Sequence, residues 1–206
     1  MKDLVSKKLK SLSQVFVIVF LAGLAGCNND DPAKQDVPEF ISSVKLIFTP
    51  TGGGTSVTAT ATDPDGIGPG NITVDNAIAL AKEVNYTLTF EILNNLADPG
   101  DPEYNIGDEI EEEGDEHQFF FSWTDGVFSD PTGSGNIDNR SDDLNYSDED
   151  VNELPIGLST LWTTTDLAAS GTFKVLLKHQ PDIKSSTSTS TDGETDIDLT
   201  FDITVE

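Results

Sequence analysis

Residues 196–205 read Asp-Ile-Asp-Leu-Thr-Phe-Asp-Ile-Thr-Val. Leu199, Phe201, Ile203 and Val205 alternate with Asp198, Thr200, Asp202 and Thr204. A period of two sends one set to a core and the other to water, which is the signature of a half-buried β-strand. Tyr86, Leu88, Phe90 and Ile92 repeat the pattern against Thr87, Thr89 and Glu91, and Val57, Ala59 and Ala61 repeat it against threonines. Further strands are expected at 43–49, 71–75, 117–123, 157–164 and 172–180, separated by Gly, Pro and Asp. No window of about a dozen residues reads as an amphipathic helix. At most a turn or two fits 74–83.

Seven to nine short antiparallel strands in residues 41–206 predict an all-β domain, an immunoglobulin-like β-sandwich. The strand at 196–205 should lie inside its sheet. An eight-stranded closed barrel is the alternative. The acidic stretch 125–156 is a long connection of the kind that is usually functional or mobile. The Ser/Thr-rich stretch 185–195 reads as a hairpin tip without order or chemistry.

Working outward to the N-terminus, residues 1–14 carry Lys2, Lys7, Lys8 and Lys10 before the apolar run Val15–Ala22. Gly23, Leu24, Ala25, Gly26 and Cys27 follow. Basic, apolar and small residues in that order predict a secretory signal peptide over 1–26, its apolar part below the ~20 residues of a membrane span. Leu24-Ala25-Gly26-Cys27 matches a bacterial lipobox, so Cys27, the one cysteine of the chain, is the expected lipidation site. Acyl chains there would tie the protein to a membrane at ~0.8 kcal/mol per buried methylene. Residues 27–40, rich in Asp, Asn and Pro, read as a flexible acidic tether. Asp30-Asp31 resembles the export signal of Bacteroidota surface lipoproteins, which would place the domain on the outer membrane facing the cell exterior.

The chain has 206 residues, and eleven basic against 37 acidic side chains give it a formal charge of -26. Such a field repels phosphates, which excludes nucleic acid as a partner. A single cysteine excludes a disulfide framework and a Cys-rich zinc site. Nothing resembles a nucleophile elbow, a phosphate-binding glycine loop or a zinc-protease helix, so the domain is expected not to be an enzyme.

Chemistry concentrates at two histidines, each followed by glutamine: His117-Gln118 and His179-Gln180. His117 shares parity with Phe119, Phe121 and Trp123, and His179 with Phe173, Val175 and Leu177. Each therefore belongs to the apolar face of its strand, one at the start and the other at the end. If the two strands run antiparallel, both imidazoles reach the same end of the core. With Asp115, Glu116 and Asp182 close in sequence, such a pair suits Zn²⁺ or Cu²⁺. The competing reading is that each histidine merely caps its strand. Acidic turns suggest calcium instead: Asp63 and Asp65 in one loop, Asp148 and Asp150 in another, offering the hard oxygen ligands that Ca²⁺ takes. Trp123 and Trp162 offer a sugar-stacking platform or core packing. The run from Glu109 to Glu116 reads as a solvated edge that guards a strand.

Three blocks, GDEHQFFF at 114–121, KVLLKHQP at 174–181 and Pro155-Ile156-Gly157-Leu158, resemble a group of small Bacteroidota lipoproteins labelled "type 1 periplasmic binding fold superfamily". The label implies a two-lobed α/β sugar-binding protein; the strands of this chain imply an all-β domain of half that size. The resemblance further implies an accessory role beside an outer-membrane TonB-dependent receptor. It also brings in the two-histidine haem-binding lipoproteins of the same phylum, and hence haem as a ligand. The expectation is a surface lipoprotein that captures a metal ion or metal complex for such a receptor. The alternatives are a structural or adhesive module with calcium-binding loops and a glycan-binding module.

Overall fold

The computed structural model describes residues 40–63 and 72–206. The expected signal peptide, Cys27, nearly all of the tether and Asp65 lie outside the described residues. Within them the chain is all-β, two sheets packed face to face.

The larger sheet has the order β3-β2-β1-β5-β8-β7, from β1 (Ser43–Pro50), β2 (Val57–Thr62), β3 (Thr73–Val74), β5 (Asn85–Leu93), β7 (Phe128–Asp130) and β8 (Ser159–Thr164). The smaller has the order β4-β10-β9-β6, from β4 (Ile78–Leu80), β6 (His117–Trp123), β9 (Ala169–His179) and β10 (Glu194–Val205). The strand at the chain's end is inside its sheet, as its alternation predicts. Two separate sheets exclude the closed barrel.

Among the described residues ten strands form where seven to nine were expected. The extra ones, β4 and β7, are three residues each, too short for a period of two to show. One pairing departs from an antiparallel sandwich: β4 runs parallel to β10, with Ile78 opposite Ile203. Residues 78–80 are thus strand where sequence suggested a helical turn. The one α-helix among the described residues, α1 (Ile106–Glu112), occupies part of the acidic run read as a strand-guarding edge. Ile106 and Ile110, one turn apart, bury its inner face, and Asp108 and Glu109 suit the positive end of its dipole.

The core is aromatic. Phe48 of β1 meets Phe173 of β9 edge-on at 5.8 Å, and Phe90 of β5 stacks on Phe119 of β6 at 4.5 Å. Trp162 packs edge-on against Phe173 at 5.1 Å and against Trp123 at 5.0 Å. Both indoles are buried, so neither offers a face to a sugar and the platform reading falls.

The long connection serves the fold. β6 lies at the edge of its sheet, and an open edge exposes unpaired backbone groups. The connection seals it. Phe119 N–H donates to Ile156 O, Trp123 N–H to Ser134 O, and Phe121 N–H to the side chain of Asn136. Ile137 N–H returns to Phe121 O, and the Tyr146 hydroxyl donates to Phe119 O at 2.7 Å. The Ser/Thr-rich stretch is likewise built: Thr189 N–H donates to Asp192 Oδ2, Gln180 Nε2 to Asp192 O, and Ser190 Oγ to Ile137 O.

Candidate metal centre

β6 and β9 are antiparallel neighbours, and their register sets His117 directly opposite His179. Phe119, Phe121 and Trp123 pair with Leu177, Val175 and Phe173 on the same inner face. The two imidazoles therefore close one end of the apolar core. Their centroids are 4.6 Å apart and their planes differ by 5°. His117 is fully buried; the His179 side chain is 12% exposed.

Local structure fixes one ring and leaves the other freer. The chain leaves α1 through a tight turn in which His117 N–H donates to Gly114 O. That turn brings Glu113 O to 3.1 Å from His117 Nδ1. A proton on Nδ1 donated to this carbonyl leaves Nε2 as the ring's lone-pair nitrogen, the usual way a second group sets a ligand's tautomer. His179 Nε2 lies 3.4 Å from Glu116 Oε2, on the more exposed side.

Two candidate ligand sets surround the pair. His117, His179 and Asp196 each offer an atom within 4.8 Å of the others, and so do Glu113, Glu116 and His179. Of the carboxylates expected beside the histidines, Glu116 joins a set. Asp115 and Asp182, both exposed, belong to neither. Their proximity in sequence misleads because each sits in a turn that faces water.

Asp196 and Glu113 were not legible as candidates. By parity Asp196 belongs with Asp198 and Thr200 on the outer face of β10. A break in register between Thr195 and Ile197 puts it out of step with β9. Such a bulge re-aims a side chain. The one cue is Asp192-Gly193 just upstream: Gly193 has φ +79, and a Cβ there would stand 2.1 Å from His179 O. Glu113 lies one residue past α1, and the missed helix hid it.

Two of the calcium candidates, Asp148 and Asp150, are otherwise occupied. Asp148 accepts N–H bonds from Gly157 at 2.9 Å and Ser159 at 3.1 Å, clamping the entry to β8. Burial pushes its carboxyl above the ordinary range, and those N–H groups pull it back only in part. Asp150 pairs with Lys184 at 2.8 Å and accepts N–H bonds from Asn152 and Leu154. Burial would raise its carboxyl, but the Lys184 ammonium and the two N–H groups outweigh it and hold the value down. Lys184 is itself lowered, because desolvation exceeds the attraction of Asp150. Asp63 is buried beside β2. Among the described residues, no three-ligand set includes any of these aspartates.

The ion pair bears on the histidines through geometry. Lys184 Nζ also donates to Gly114 O at 2.6 Å, so Asp150, Lys184 and the turn before His117 are tied at one point. Gly114 packs closely there: a Cβ would stand 2.5 Å from Ile156 Cδ1, so a larger residue would have to displace the end of that side chain. The chain matches no family model, no curated protein and no solved structure.

Proposed function

We propose that this chain is a lipid-anchored, surface-exposed binding protein, without catalysis of its own, that captures a divalent transition-metal ion at His117 and His179. The observation that carries this reading is the cross-strand imidazole pair, joined by Glu116 and Asp196. Imidazole with carboxylate is a donor set for Zn²⁺ and Cu²⁺; Ca²⁺ takes oxygen alone. The lipobox at Cys27 and the tether after it support anchoring at the outer membrane. The resemblance to Bacteroidota surface lipoproteins supports delivery to a TonB-dependent receptor.

The parallel rings specify how an ion is held. A metal lies in the plane of each imidazole that binds it, at ~2.0–2.1 Å from nitrogen. Two parallel stacked rings have their lone pairs in separate planes, so one ring must turn for both to share an ion. Glu113 O holds His117, which leaves His179 as the ring that turns. Haem fits less well, because its iron needs two nitrogens aimed at each other across a macrocycle.

Equilibrium dialysis of residues 37–206 against Zn²⁺, Cu²⁺ and haemin tests the reading; residues 37–206 form a compact unit of their own. Micromolar or tighter Zn²⁺ or Cu²⁺ binding, lost in H117A and H179A, is the expected result. No binding below millimolar, or binding unchanged in the double variant, rejects it.

A further inference from the structure

Resting on that reading, we propose that the histidine pair serves two cation positions in succession, with His179 common to both. The outer position is Glu113, Glu116 and His179, and the inner is His117, His179 and Asp196. An ion loads at the outer set and is retained at the inner one.

Burial orders the two. All three outer ligands are partly exposed, the Glu116 side chain at 21%. The inner set ends on His117, which no solvent reaches. A cation arriving from water therefore meets the outer set first. Its approach is acidic: beside α1 lies a hollow of about 320 Å³ lined by Pro102, Glu103, Asp108, Glu109, Glu112 and Glu113. The hollow shares Glu113 with the outer position. Negative charge along a cleft concentrates cations and raises their rate of arrival.

Chemistry orders them as well. The outer set has one nitrogen and two carboxylates, a weaker combination for Zn²⁺ or Cu²⁺ than two imidazoles with a carboxylate. His179 is aimed outward, with Nε2 3.4 Å from Glu116. Rotating this ring about its χ2 bond would turn Nε2, once its proton is lost to the arriving ion's solvent, from Glu116 toward His117 and Asp196. The β10 bulge then has a role, since it supplies Asp196 as the third inner ligand.

Stopped-flow uptake and release of Co²⁺ by residues 37–206, followed by visible absorption, separates the two positions. E113Q combined with E116Q should slow uptake about tenfold and leave the release rate nearly unchanged. D196N should do the reverse, speeding release about tenfold at unchanged uptake. The control D166N combined with D202N removes equal charge at exposed positions elsewhere and should alter neither rate. Circular dichroism melts confirm that every variant is folded. If the wild type binds Co²⁺ but the Glu113/Glu116 variant loads at the wild-type rate, the succession is overturned and metal capture stands. If D196N releases at the wild-type rate, the inner position is overturned. If the wild type takes up no Co²⁺, both readings fall together.

Discussion

Lys184 and Asp150 form an ion pair of 2.8 Å in which each side chain is 1% exposed, and the same ammonium donates to Gly114 O. Three distant segments meet there: the long connection, the turn after β9 and the turn before His117. A buried pair of this kind is a weak source of net stability but a costly one to break, because one charge remains in a dry site. D150N or K184M should lower unfolding free energy by about 3 kcal/mol in urea titrations. The double variant D150L/K184M should recover much of that loss. Single variants that cost under about 1 kcal/mol would show the pair to be hydrated.

Acid stability should carry the signature of Asp150. Its carboxyl is held below the ordinary value, so the folded state binds fewer protons there than the unfolded chain. That contribution is complete above about pH 3.9, the unfolded value, and is lost as pH falls through the lower folded value. Asp148, raised by burial, acts in the opposite sense: the cost of its ionised form is relieved on acidification. Subtracting the D150N stability curve from the wild-type curve between pH 6 and pH 2 should isolate a difference that shrinks with acid. A difference that grows would contradict the assigned direction.

Tyr146 joins the connection to β6, donating to Phe119 O while accepting from Asn136 Nδ2 at 2.9 Å. Burial raises its hydroxyl well above the usual tyrosine value. Y146F keeps the ring and strands both partners, so a loss of about 1–3 kcal/mol is expected by chemical denaturation. A loss within error would mean that water replaces the hydroxyl.

Gly135 is the tightest approach of the connection to that strand. Its φ is +102, and a Cβ would stand 2.2 Å from Phe121 O. G135A should therefore open the seal and cost more than about 2 kcal/mol, visible as faster amide exchange at Phe121 and Trp123. Protection equal to wild type at both amides would show that the connection does not depend on this glycine.

Strand positions were legible wherever alternation ran for five residues or more. β1, β2, β5, β6, β9 and β10 all lie where a period of two placed them, because burial on one face imposes it. β4 and β7 were too short to show a period, and α1 was hidden because its apolar face is two isoleucines in an acidic run. The cross-strand histidines were legible from parity and strand ends alone. The carboxylates around them were not. Asp196 is set by a bulge that shifts parity by one, and Glu113 by a helix end. The connection that covers the outer edge of β6 was beyond reach for another reason, since irregular chain pairs through single bonds and leaves no period.

The parallel pairing of Ile78 with Ile203 has a temporal consequence. β4 has no neighbour in its sheet but β10, so it waits for a strand from the far end of the sequence. Asp196 rides on that same strand. Closing so long a loop is slow, and β4 cannot join the small sheet before it happens, although β6 and β9 can already pair. A nascent or threading chain would hold its histidines on an unfinished sheet until β10 arrives. Cation retention and completion of the fold would then be one event, and a chain cut before residue 194 would lose both.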